Sequence, residues 1–265
     1  MVDSKCIGFK IGVESGNEAT LRRVGKPGTI KKFEQFSKMA QSFPEMFMAD
    51  NYILGLPNLD NPKVSEPWGL IMKDYHFSRQ MGLDWSCYFV YQPSVSYFGD
   101  RKEGDNNYIS EFVPSNKARK GMLFAPEGVA QGPDVFSLPL DSIPSVAQVE
   151  QAQITFNLVR NFVMNKNLTP EGSLDKYTSW VSAVQERYPS DASMSIFLSL
   201  AYRLKEDHSK ADVQYAQTRE NLTSSSYWQE RFRQFRLYDV MNNFPQNRSQ
   251  AEQAVSYLRS MYDKY

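Results

Sequence analysis

The chain has 265 residues, 30 of them Lys or Arg and 30 Asp or Glu for a net charge of zero, with 41% hydrophobic and 23% charged residues. At about 150 residues per domain this is one large domain or two modest ones, with a globular composition and no charge excess for a broad polyanion-binding surface, so nucleic acid is not expected as a partner. Two cysteines, Cys6 and Cys87, exclude a disulfide framework, a four-thiolate zinc site and any iron–sulfur cluster held by three or four thiolates of these residues alone.

The N-terminal stretch Met1–Lys10 (MVDSKCIGFK) lacks the apolar centre of a signal peptide. No apolar run approaches the roughly 18 residues of a membrane span. The expectation is a soluble, cytoplasmic protein without membrane contact. Cys6–Ser15 (CIGFKIGVES) alternates strictly, with Ile7, Phe9, Ile11 and Val13 on one face and Cys6, Gly8, Lys10, Gly12 and Glu14 on the other. This predicts a strand with one apolar face and one small, polar face suited to the inner wall of a barrel. A short helix follows from Gly16–Asn17 to about Val24, and Gly25-Lys26-Pro27-Gly28 breaks it. Thr29 is the predicted N-cap of a second helix, Ile30 to about Ser42.

Met48–Pro57 reads as the next strand, with Asn51, Ile53 and Gly55 on one face and Tyr52, Leu54 and Leu56 on the other. A helix from about Gly69 to Met81 leads into a third strand, Asp84–Gln92. Strand and helix alternating in this way predict βαβ units and a parallel sheet, although three strands cannot close a barrel. Residues 99–146 read as an irregular connection, with aromatics at Tyr97, Tyr108, Phe112 and Phe124 in and around it. Residues 147–265 read as a helical module, with helices over Val149–Lys166, Leu174–Arg187, Ala192–Lys205, Lys210–Asn221, Tyr227–Asn242 and Ala251–Tyr265. No second copy of its pattern recurs at the spacing of about 34 residues of a helical-hairpin repeat.

Three strings stand in order in the N-terminal half: Ile11-Gly12-Val13-Glu14-Ser15-Gly16, Leu21-Arg22-Arg23-Val24-Gly25-Lys26 and Ile53-Leu54-Gly55-Leu56-Pro57. Together they resemble the second half of the core domain of radical S-adenosylmethionine enzymes. The nearest group is the one whose members often carry a preceding cobalamin-binding domain. The likeness covers about Lys5–Tyr97 and implies a partial (β/α) barrel, residues 1–98 supplying its strands four to six, followed by the all-α module. Two strings depart from the family: Asn58-Leu59-Asp60-Asn61-Pro62 stands in place of a Gly-Glu-Thr helix start, and Pro93-Ser94-Val95-Ser96 in place of Pro-Gly-Thr. The three-cysteine cluster motif, which lies in the family's first βα loop, is absent from the chain.

The resemblance implies S-adenosylmethionine as cofactor, with a [4Fe–4S] cluster in the intact protein only and cobalamin admitted by the group. Glu14, with Ser15 beside it, and Asn51 would meet the ribose, Lys26 the methionine carboxylate, and Ile53 the adenine. It implies an unidentified small-molecule substrate, no metal ligand within the chain, and a missing N-terminal barrel half or complementing chain. The residues alone leave simpler roles open: Glu14 pairing with a nearby Lys or Arg, Lys26 as a solvated loop charge, Asn51 satisfying backbone groups, and Cys87 as a small buried hydrophobe. Lys10, if buried, needs a partner or water, and His76 and His208 have no spaced partner for a metal or a dyad. A non-catalytic helical interaction protein with a remnant α/β layer is the alternative reading.

Overall fold

The structure is a computed structural model and describes residues 8–58, 60–61, 64–91 and 127–265. It divides into two compact units, one of Phe9–Pro44 and Met48–Ile154, the other chiefly Thr155–Tyr265 with Glu45–Phe47. Cys6 and Ile7 of the predicted first strand lie outside the described residues, as do Tyr97, Tyr108, Phe112 and Phe124.

In the first unit β1 (Gly8–Glu14), β2 (Phe47–Leu54) and β3 (Trp85–Val90) form a parallel sheet in the order β1-β2-β3. Parallel neighbours need long crossovers, which here are α1 (Glu18–Arg23) with α2 (Ile30–Ala40), then α3 (Trp68–Met81). Asn17 caps α1 by accepting from the amides of Ala19 and Thr20, and Thr29 caps α2 by accepting from that of Lys32, as expected. Gly82, at φ 59°, ends α3 in the left-handed conformation.

Both crossovers pack on one side of the sheet. Phe9 meets Phe36 of α2 edge-on at 5.3 Å, and Tyr75 of α3 lies 6.5 Å from Tyr88, which is stacked on Tyr52 at 5.5 Å. Tyr52, Leu54, Trp68, Ile71 and Tyr75 are fully buried there, and α2 is tied to α3 by the Ser37 hydroxyl donating to Met81 O. In register, Asn51 stands opposite Cys87 and Ile53 opposite Phe89. These four residues, on the other face, are only half-buried, and Lys10 is exposed.

Part of the connection expected to be irregular is ordered. Gly132–Ser137 forms a 3₁₀ turn that buries Val135 and sets Phe136 5.1 Å from Tyr75. The amides of Trp68 and Gly69 donate to Ser142 O and Leu140 O. Helix α4 (Val146–Leu158) begins there, and its Gln153 donates to Tyr88 O at 3.2 Å, which occupies a backbone acceptor of β3.

In the second unit a π-helical turn, Val159–Val163, continues α4. There follow α5 (Leu174–Gln185), α6 (Ala192–Leu204), α7 (His208–Ser224), α8 (Ser226–Gln234), α9 (Leu237–Asn242) and α10 (Arg248–Ser260). Helix α6 is the centre, with Ile196, Leu198, Leu200 and Ala201 wholly buried and the Ser199 hydroxyl donating 2.7 Å to Ala211 O of α7. The single helix expected over Tyr227–Asn242 is two, separated where Arg236 adopts φ 56°. That bend allows Phe235 and Leu237, which flank it, both to be fully buried. Among the described residues no helix is long and apolar enough to cross a membrane.

Candidate functional site

The carboxyl ends of parallel strands are where α/β sheets gather their ligands, and here the two sides of that edge differ. On the open side β1 ends at Glu14, which holds φ 72°, a left-handed backbone that costs an ordinary side chain about 1–2 kcal/mol. Its carboxylate accepts from Lys26 Nζ at 3.0 Å, and both side chains are largely buried. The pair lies over Gly12. A Cβ at that position would sit 2.5 Å from Glu14 Oε1 and 3.1 Å from Lys26 Nζ, so a side chain there would displace the ends of the pair.

Asn51 and Ile53 share this face with Lys10, Cys87 and Phe89, because β2 and β3 are in register there. Asn51 Oδ1 is buried and has no hydrogen-bond partner among the described residues, an arrangement that costs about 1–3 kcal/mol unless a donor reaches it. Lys10 Nζ stands 5.5 Å from the centroid of the Phe89 ring. Burial raises the Cys87 thiol above its usual range, and the Lys10 ammonium beside it opposes that rise.

On the helix-covered side, Ser15 faces away from Asn51 and Ile53. It is fully buried, and its hydroxyl donates 2.8 Å to Asp74 Oδ1 of α3, which also accepts from the Gly16 amide at 2.6 Å. Gly16 is required there, since a Cβ would lie 2.6 Å from that of Phe77. Asp74 Oδ2 and Glu66 Oε1 are buried without hydrogen-bond partners among the described residues. Burial is the first cause raising the Asp74 carboxyl to about 7, opposed by the Gly16 and Ser15 donors. Burial, then the charge of Asp74, raises Glu66 to about 9, against the Leu56 and Gly55 amides and Arg23. The two carboxyls therefore titrate as a pair that retains a proton at neutral pH. Arg23 spans the same corner by donating to Pro57 O.

Of the residues singled out from the sequence, Glu14 and Lys26 pair with each other on the open side, Asn51 and Ile53 lie on that same side, and Ser15 joins the buried acids. Asp74 and Glu66 were not singled out. For Asp74 a signal existed: with Ile71 and Ser78 it lies on the buried stripe of α3, where a carboxylate needs partners. Glu66 follows an Asn/Pro-rich loop and offered none. His208 is engaged with Arg203 at 2.8 Å. Among the described residues no group of three or more His, Cys, Asp or Glu is placed to hold a metal ion. No family model, curated protein or solved structure matches the chain.

Proposed function

We propose that this chain is the nucleoside-binding portion of a radical S-adenosylmethionine enzyme, its sheet belonging to a partial (β/α) barrel whose interior is the open face. The observation that carries the reading is that Glu14, paired with Lys26, and Asn51 with Ile53 fall on the same, open side of the sheet.

The residues fit the cofactor. Asn51 Oδ1, idle among the described residues, accepts a hydrogen bond from one ribose hydroxyl, and Glu14 accepts from the vicinal one. Ile53 offers an apolar surface to the adenine. Lys26 donates to the methionine carboxylate as a point charge, and Glu14 holds it in place. When bound and reductively cleaved, S-adenosylmethionine supplies a carbon radical for hydrogen abstraction from substrate. Cys6 and Cys87 are too few for a [4Fe–4S] cluster, so its thiolates come from another segment or chain in this reading. Cobalamin, where used, is held by a separate domain. The free Cys87 thiol suits the reducing cytoplasm.

Calorimetric titration of the 265-residue chain with S-adenosylmethionine tests this. Binding is expected, weakened at least about tenfold by Glu14→Ala, a loss of about 1.4 kcal/mol, with the circular dichroism spectrum unchanged. An absence of binding, or an unchanged titration in the variant, overturns the reading and leaves the non-catalytic alternative.

A further inference from the structure

Lys10 is the charge that the nucleoside does not use. It is exposed, and among the described residues no carboxylate pairs with it. Of the strand residues on its face only Glu14 is acidic, and Glu14 is engaged by Lys26, so the face presents one uncompensated cation. That cation has an apolar floor, the Phe89 ring at 5.5 Å, which excludes water from one side and strengthens its attraction for an anion. Three strand residues separate Lys10 from Glu14, a Cα spacing of about 13 Å at the strand rise. The Glu14–Lys26 pair lies over Gly12, two residues along the strand, and bounds the Lys10 end of the face on that side.

We propose that Lys10 anchors a carboxylate of the small-molecule substrate on the open face of the sheet, against Phe89 and beside Cys87. The identity of the occupant as substrate rests on the function proposed above, whereas the anion site itself does not.

Cys87 is a built-in reporter. In the Cys6→Ser chain the Cys87 thiol is treated with the anionic methanethiosulfonate ethylsulfonate and with the cationic methanethiosulfonate ethyltrimethylammonium, and modification is followed by intact mass. The anionic reagent is expected to react about tenfold faster relative to the cationic one than it does with a free thiol, through local electrostatic steering. Lys10→Gln, at an exposed position that does not threaten the fold, should remove that preference. Glutarate should protect the thiol from the anionic reagent more than chloride at equal ionic strength. Equal relative rates, a preference that survives Lys10→Gln, equal protection by chloride, or a thiol unreactive toward both reagents each overturn the proposal. S-adenosylmethionine is absent throughout. A Lys10-dependent preference together with a Glu14→Ala titration that is unchanged therefore retains the anion site and rejects the nucleoside reading, and the reverse pair of results does the opposite.

Discussion

The two faces of one sheet are built from alternate residues of the same strands, yet they meet opposite environments. Under α2 and α3, Tyr52, Leu54 and Tyr88 are at most 1% exposed, whereas Ile53, one residue from Leu54, is half-buried beside Asn51, Cys87 and Phe89. Leucine and isoleucine are nearly equal in hydrophobicity, so the difference comes from which face the crossovers cover. It also separates the chemistry that each face can carry. A lysine or an amide with an idle acceptor would be costly beneath the helices, but on the open face both are available to a ligand.

The largest effect that would confirm this contrast is Leu54→Ala, expected to lower unfolding stability by about 2–5 kcal/mol, as for other fully buried leucines. Urea denaturation measures it, and a loss no greater than that of Ile53→Ala would erase the distinction between the faces.

A smaller effect concerns the acids on the covered side. The folded pair holds protons above the usual carboxyl values of 3.8 and 4.5, up to about 7 and about 9. The unfolded chain has released those protons, so stability falls as pH rises through that window. Glu66→Gln removes one of the two titrations and should flatten the dependence between about pH 5 and about pH 9, by about 1–2 kcal/mol. Parallel slopes for the parent and the variant in urea melts across that range would show that the pair is not coupled to folding.

The smallest stability effect is expected from Ile53→Ala, about 1 kcal/mol for a half-buried side chain. Its larger consequence should appear as weaker S-adenosylmethionine binding in the same titration that tests Glu14. An Ile53→Ala chain that is strongly destabilised but binds normally would reverse the roles assigned to the two faces.

Much of this architecture was legible because it depends on local rules. Period-two alternation placed Lys10, Gly12 and Glu14 together, and Asn51 with Ile53, before any contact was known. Thr29 announced its helix through a side chain that reaches only three residues ahead. What escaped notice depended on distant partners. Asp74 acquires its role from Ser15, 59 residues away, and Glu66 from Asp74 and from the backbone of the turn after β2. The break at Arg236 was invisible in a stretch of good helix formers, because it allows Phe235 and Leu237 both to be buried within their unit.

The sequence by itself determined the alternation of strands and helices, the faces on which residues fall, and a cysteine count too low for a cluster. Each of these follows from backbone geometry or arithmetic within a few residues. Only the tertiary structure decided which face the helices cover, that Glu14 spends its charge on Lys26 while Lys10 keeps its own, and that two carboxyls share a buried corner. Those outcomes depend on desolvation and pairing between residues far apart in the chain, and no local pattern specifies them.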